Sequence, residues 1–520
     1  MARTRVLIAG AGPTGLTLAI ELAARGVPVR IIDKSPEHFV GSRGKGLAPR
    51  SREVFDNLGV IDAINRFGWP HYPTRRWVNG ELVADTNLDD QIHPTPGIPY
   101  ETGALIPQWR VEEILREKLA EYGVSVELGT ELAEFSQSAE GITAKPGSGA
   151  DITADYLVGC DGGRSTVRKA LDVGFEGESG PQGMLVGDVR VSGLAPDAWY
   201  MWTDSAKGFV ALCPFRDWSG WQFQAVRFTD YTADGQLPPP TIELFQEILD
   251  DIAGVPGVTL SDATWLSTYR VNVRMVEKFR FDRVFLAGDA AHVHPPAGGL
   301  GMNTGIQDAH NLGWKLALVL GGKADTGLLD TYGEERVPVA RWTLGVSSKE
   351  LQKVSDSITG GKTNQDRDGF RPRGELQAGQ FALGYHWSSL ASTLVERADG
   401  TPVAGDRAPD SPCQDATGAP VRLFDVFRQP GFTLLGFGEA TRATIDKATA
   451  EHGDITIGRL VDKTASSTVD IVDVDGHAHR EYAVTEPSLF LIRPDGHIGV
   501  IAAASQGDAV LDYLANLGKN

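Results

Sequence analysis

The 520-residue sequence predicts an α/β chain, α+β overall, in which a doubly wound dinucleotide-binding domain is interrupted by an antiparallel sheet and followed by a small third domain. Three observations lead there. A strand, a glycine-rich turn and a helix open the chain at residues 4–25. A strand-rich, tryptophan-containing stretch at 183–228 separates this opening from a second α/β segment that begins at 283. After a linker near 400–412 (GTPVAGDRAPDSP), an order of strand, helix, strand, hairpin and helix follows. Length alone favours about three domains. The expected boundaries are 1–178, 179–275, 276–395 and 396–520, the first and third being two parts of one domain.

Residues 4–9 (TRVLIA) read as a short buried strand, 13–25 as a helix and 28–32 (PVRII) as a second strand, the opening βαβ of a doubly wound sheet. Around 110–122, Val111, Ile114, Leu115 and Leu119 share one helical face. VSVEL (124–128), GITAK (141–145) and ADYLVGC (154–160) read as strands, and GMLVGDVRV, GFVALCPF and WQFQAVRF as the inserted sheet. RVFLAG (283–288) resumes the α/β pattern, with a helix from about Asn303 to Leu320, another from near Leu328 and a polar loop at 355–375. The last domain is expected to hold strands at 432–437 and 468–473, helices at 440–452 and 508–517, and a hairpin turning at Pro494-Asp495-Gly496.

Composition narrows the class. With 41% hydrophobic and 22% charged residues the chain reads as soluble and globular, and no apolar run reaches the roughly 18 residues of a membrane span. MARTRVLIAG imitates a signal peptide, but Gly10, Gly12, Pro13 and Gly15 break it and it runs on into Glu21, so a nucleotide-binding turn explains it better. A net charge of −19 repels phosphate backbones, which argues against nucleic acid as a partner. Cys160, Cys213 and Cys413 are far apart and form no CxxC, which predicts a reducing, cytoplasmic setting.

Three motifs carry chemistry. In GAGPTG, Gly10 allows a tight turn, Gly12 lets a pyrophosphate approach the backbone, and Gly15 lets helix pack on strand, with Pro13 and Thr14 opening the helix. The helix N-terminus offers free N–H groups and partial positive charge to phosphates. Asp33 lies 18 positions beyond Gly15, near the ~20 expected of a carboxylate that binds ribose hydroxyls, and Lys34 follows it. This motif alone does not separate FAD from NAD. The second, GCDGGRS (159–165), places Asp161 between strand and helix, as a helix cap or as a cofactor contact. The third, GDAAHVHPPAGGLGMN (288–303), offers Asp289 to a polyol and leads through Gly299 into a helix whose N-terminus would stabilise a reduced flavin's negative charge.

Together these residues resemble the single-component FAD-dependent aromatic hydroxylases of the p-hydroxybenzoate hydroxylase fold, closest to those acting on phenols and bacterial aromatic polyketides. The resemblance rests on GAGPTG, the Arg43 region, Gln108, GCDGGRS, GDAAHVHPPAGGLGMNTGIQDAHNLGWKLA and YGEERVP (332–338), and spans residues 5–340. It implies an FAD-binding domain, an inserted substrate sheet and a thioredoxin-like C-terminal domain. That last domain has no CxxC, so its expected role is structural.

The resemblance also implies roles. Asp33 would bind the adenosine ribose, and Arg43 and Gln108 the FAD phosphates and ribityl. Asp289 would bind the ribityl or phosphate region, with Gly301, Met302 and Asn303 along the flavin's pyrimidine edge. Pro296 would sit near its reactive face, and Asp161 would be linked to both FAD and NAD(P)H. Residues 44–46 read Gly-Lys-Gly where relatives often have Ala-Leu-Gly. The implied reaction takes NADPH or NADH, NADPH favoured, and O2, and hydroxylates an electron-rich ring through a flavin C4a-hydroperoxide. Alternatives are Baeyer–Villiger oxygen insertion and a flavin-carrying protein without monooxygenase activity. No residue stands out as a base for a phenol. His71, Tyr72, Trp77, Tyr100, Trp202, Trp221 and Arg227 are candidates for substrate lining, with core packing as the competing role of each aromatic. The expected partners are a small aromatic or polyketide substrate and O2, with a homodimer possible and no membrane. No metal is expected. His292 and His294 form HxH without a ligand cluster. Gly361-Lys362-Thr363 lacks the leading glycine of a phosphate loop, since Asp356 stands there.

Overall fold

The computed structural model describes residues 4–70, 72–86, 95–216, 218–227, 238–294, 299–359, 380–381 and 383–519. His71, Pro296 and Gly361–Thr363 lie outside the described residues. The first sheet has Val6–Ala9 at its centre, parallel to Tyr156–Gly159 on one side and Val29–Ile32 on the other. Val126–Glu127 extends one flank and Val284–Leu286 the other, both parallel, and Arg280–Phe281 closes the edge antiparallel. Every residue of Val6–Ala9 and Tyr156–Gly159 is buried, which accounts for their unbroken apolar runs. Helix Pro13–Ala24 leads from the first strand and packs on the long helix Leu300–Leu320. Gly313 makes this approach possible: a Cβ there would lie 2.5 Å from the Cβ of Glu21.

The inserted sheet has eight strands in the order His292–Val293, Thr259–Met275, Glu176–Ser192, Trp218–Arg227, Gly208–Phe215, Trp199–Asp204, Thr74–Val78 and Glu81–Thr86. It therefore recruits a hairpin from residues 74–86, far ahead of the stretch the sequence marks as sheet. Helix Ile242–Ala253 covers one face, capped by the Thr241 hydroxyl and ended by Gly254 in the left-handed region. Its Phe245, Ile248, Leu249 and Ile252 form one apolar stripe.

The C-terminal sheet centres on Phe432–Phe437, parallel to Thr456–Asp462 and antiparallel to Ser488–Ile492, with helices Arg442–His452 and Gly507–Ala515 in a thioredoxin-like arrangement. Two expectations change here. The long second strand is Thr456–Asp462, and only Ile471–Val472 is strand in the expected 468–473. Gly458 hides that strand from the sequence, and it is there because a Cβ would lie 2.4 Å from Ile445 of the covering helix. Further upstream, helix Asp330–Thr359 runs through the start of the expected 355–375 loop.

Candidate functional site

The three glycines of the first loop separate by what surrounds them. A Cβ on Gly10 would lie 2.3 Å from the Cys160 carbonyl oxygen, and one on Gly15 would lie 2.0 Å from the Gly10 carbonyl oxygen. Both are required by the protein's own packing. A Cβ on Gly12 would meet nothing within 4 Å. Gly12 caps helix Pro13–Ala24 with no side-chain bond, so the helix N-terminus is left open to an anion. Asp33 ends the second strand beside this loop and accepts the Ala11 and Ser35 N–H groups, each at 2.8 Å. Lys34 is exposed next to it.

A second helix N-terminus comes to the same place. Thr14 is wedged between Gly288 and Gly305, where a Cβ would lie 2.6 and 2.4 Å from its hydroxyl oxygen. This brings the end of strand Val284–Leu286 and the start of helix Leu300–Leu320 against the glycine loop. Gly299 caps that helix, again with no side-chain bond. Asp289 is solvent-accessible yet densely surrounded by protein, so it lines a deep recess. Burial raises its carboxyl above the usual range, against the pull of His292 and Arg43. A Cβ on Gly301 would lie 3.9 Å from Asp289 Oδ1. Asp161 is occupied locally: its carboxylate accepts the Ser165 hydroxyl and the N–H groups of Thr166 (2.6 Å) and Val167 (3.2 Å), capping helix Thr166–Ala170. From that helix Arg168 donates to the Ala290 carbonyl at 2.9 Å, which ties the second motif to the third.

The segment 43–48 closes the recess. Gly44 N–H donates to Gln108 Oε1 at 3.1 Å, and a Cβ on Gly44 would lie 3.4 Å from Met302 Sδ. Gln108 donates to Glu112, whose carboxyl burial pushes up to about 7. Asn303 accepts the Ala48 N–H at 2.8 Å and donates to the Gly46 and Gly299 carbonyls at 2.9 and 2.7 Å. Arg43 lies over Phe39 at 5.0 Å and Trp265 at 6.0 Å. The structure thus gathers Arg43, Gln108, Met302, Asn303, Asp289 and the glycine loop around one recess.

The HxH histidines have a different occupation. Arg336 donates to Asp308 Oδ1 at 2.7 Å, Asp308 Oδ2 lies 2.7 Å from His292 Nε2, and His292 Nδ1 lies 2.8 Å from His294 Nε2. Burial would raise Asp308, but Arg336 and His292 hold it well below the carboxylate range. The ionised carboxylate accepts from His292 Nε2, and burial keeps the neighbouring His294 neutral. Asp308 and Arg336 both stand in motifs that carry the resemblance, but their spacing along the chain gave no sign that they meet His292.

The guessed substrate residues are not brought together. Trp77, Trp202 and Trp221 belong to the core under helix Ile242–Ala253, with Tyr200, Phe223 and Phe245. Arg227 pairs with Glu247 on that helix at 2.9 Å. The Tyr100 hydroxyl donates to Asp56 at 2.7 Å, beside Arg422 of the C-terminal domain. These five residues thus have structural partners, and strand alternation turns the tryptophans to the helix-covered face. Tyr72 differs from them, standing beside Trp199 with ring centroids 6.0 Å apart. The opposite face of the sheet carries Asp188, Gln222, Gln224, Cys213 and Trp199, and it meets Lys45.

Fold and glycine loop define a dinucleotide-binding α/β protein with an inserted antiparallel sheet. Residues 3–346 match the FAD binding domain family, and residues 401–517 match the C-terminal domain of aromatic-ring hydroxylases. The chain belongs to the FAD-dependent aromatic-ring monooxygenases. It is 41% identical over 521 residues to a flavin-dependent monooxygenase of Mycobacteroides abscessus, covering 98% of this chain and 99% of the relative. It is 33% identical over 538 residues to the pentachlorophenol 4-monooxygenase of Sphingobium chlorophenolicum, covering 98% and 96%. Among solved structures, aklavinone-11 hydroxylase with FAD and aklavinone superposes with a TM-score of 0.81 at 27% identity, covering 99% of each chain. No helix among the described residues is long and apolar enough to cross a membrane.

Proposed function

We propose that this enzyme uses FAD, NAD(P)H and O2 to hydroxylate a phenolic or aromatic-polyketide ring, with NADPH the favoured reductant. The observation that carries the FAD assignment is Gly12, the one glycine of its loop that the protein's own packing leaves unexplained. In this reading the 10–15 loop and the helix behind it hold the pyrophosphate, and Asp33 faces the adenosine ribose. Arg43, Gln108 and Asp289 take the phosphates and ribityl. Gly299, Gly301, Met302 and Asn303 border the pyrimidine edge, where the helix N-terminus favours negative charge. Bound FAD supplies the reduction and oxygen-activation chemistry. The protein's share is to fix the ring between helix Leu300–Leu320 and segment 43–48, and to exclude water with the inserted sheet.

The test is a panel of phenolic polyketides offered to the purified yellow protein with NADPH or NADH under isotopically labelled O2. Ligand-stimulated NAD(P)H oxidation and a product carrying one labelled oxygen on the ring are expected. No stimulation across the panel refutes the assignment.

A further inference from the structure

The sheet face turned toward segment 42–46 carries polar groups that the fold bonds only in part: Gln222 Nε2 donates to the Ser42 carbonyl, while other polar atoms of the face are left over. Strand register puts Asp188 opposite Gln222, and Gln222 opposite Cys213, on three adjacent strands. Lys45 reaches this face from the segment, buried, donating to Gln224 Oε1 at 2.9 Å and standing 4.1 Å from the centre of a Trp199 ring. Asp188 is fully buried, yet neither of its carboxylate oxygens closes a hydrogen bond within the protein. The same holds for Gln222 Oε1 and the Ser42 hydroxyl. The Ser42 hydroxyl and N–H both stand near enough to pull the Asp188 carboxyl down, at a geometry that falls short of a closed bond. Lys45 and Asp188 feel one another electrostatically without closing an ion pair. A buried carboxylate without a donor is costly, and native interiors rarely leave one for packing reasons alone. A cation held beside an acid that lacks a donor suits a ligand bearing an O–H group.

We propose that Lys45 and Asp188 bind the substrate's phenolic hydroxyl as a phenolate. The O–H bond breaks, the proton passes to an Asp188 carboxylate oxygen, and the electron pair stays on the phenolic oxygen facing the Lys45 ammonium. This rests on the proposed function and specifies the form in which its substrate is held. Burial supports the division of labour. It pushes Asp188 up to about 7, so the carboxylate can accept a proton near neutrality. It lowers Lys45 to about 8, which still leaves an ammonium at neutral pH. Cys213, on the same face, is pushed up to about 11 and stays a thiol, and strand register adds the cation Arg76 to this face, opposite Met201.

The experiment titrates the FAD-loaded protein with a dihydroxyanthraquinone, a phenolic chromophore whose visible band moves when it ionises. The wild-type protein should bind it in the ionised form at a pH where the free dye is neutral. Lys45→Met should lose that band and bind at least about tenfold more weakly, the loss expected for a hydrogen bond to a charged group. Lys45→Arg should restore the band, and Asp188→Asn should leave the bound dye neutral at the same pH. FAD content and melting temperature of each variant report folding separately. A bound dye that stays neutral on the wild-type protein, or an ionised band unchanged in Lys45→Met, overturns the pair. Product mass measured alongside separates the two readings. Ring oxygenation with an unchanged band in Lys45→Met defeats the pair and leaves the function standing. An ionised dye with no oxygen insertion on any phenol defeats the function and leaves the pair.

Discussion

Replacing Glu335 with Gln should loosen the C-terminal domain from the rest of the enzyme. The Glu335 carboxylate is fully buried and accepts from Lys315 Nζ at 2.6 Å, Arg493 Nη1 and Nη2 at 2.6 and 2.9 Å, Asn311 Nδ2 at 2.7 Å and Ser388 Oγ at 2.7 Å. Arg493 also binds Asp495 at 2.6 Å, in the hairpin of the C-terminal sheet. Two buried cations thus face two buried carboxylates across the junction, and the amide leaves one cation uncompensated. Removing one partner of a buried pair costs about 3–5 kcal/mol. The control is Lys323→Ala, which breaks a half-exposed pair with Asp454 across the same junction and should cost less than about 1 kcal/mol. Urea unfolding followed by tryptophan fluorescence reads both, since buried Trp314 donates to Asp495 at 3.2 Å. Burial would raise Glu335, but Arg493 and Lys315 hold it well below its ordinary value. Its contribution is therefore full above about pH 4.3, the unfolded pKa, and fades as pH falls toward the lower folded value. A first transition for Glu335→Gln no lower than that of Lys323→Ala would refute the reasoning.

Three further outcomes are expected. Gly12→Ala should fold and lose FAD while Gly15→Ala should fail to fold, as the contacts of 2.0 Å at Gly15 and none at Gly12 require; circular dichroism with FAD content distinguishes them, and equal flavin retention in Gly12→Ala counts against the cradle. Asp289→Ala should weaken FAD retention through loss of a polyol acceptor, and an unchanged FAD dissociation constant would remove Asp289 from the site. Lys45 titrates near 8 in the fold against about 10.4 unfolded, so the unfolded chain holds more protons between these values and stability rises with pH there; Lys45→Met should lack that part of the rise, and urea midpoints with the wild-type slope would contradict the burial of its charge.

What the sequence made legible is what lies close along the chain. The turn at 10–15 could be read because its spacing is its geometry: Gly10 and Gly15 meet backbone carbonyls at close range, and Gly12 is left open at the helix N-terminus. The third motif was legible for the same reason, from Gly288 through Asn303. The faces of the inserted sheet were not. Alternation shows that Trp221 and Gln222 point to opposite sides, but not which side helix Ile242–Ala253 will cover, since that helix comes later and packs by shape. The bulky aromatics therefore drew attention, while the opposite face carries Gln224 and the buried Asp188 and Gln222, polar residues whose cost appears only in the fold. Asp161 illustrates another limit. One carboxylate at a strand end reads equally as ligand or cap, and only the bonds to Ser165, Thr166 and Val167 show its local work.

Segment 43–48 is the piece on which the proposals depend together. Its backbone is held by Gln108 at Gly44, by the Ile106 N–H on the Lys45 carbonyl at 2.8 Å, and by Asn303 at Gly46 and Ala48. Those anchors come from the cofactor side, while the Lys45 side chain crosses to Gln224 on the sheet. One rigid strip therefore sets the position of the proposed flavin edge and of the proposed phenolate oxygen relative to each other. The distance between them is fixed by backbone hydrogen bonds, which a side-chain substitution at position 45 leaves in place. Changing that residue should thus alter which ionic form of a phenol is held without moving the ring that would oxidise it.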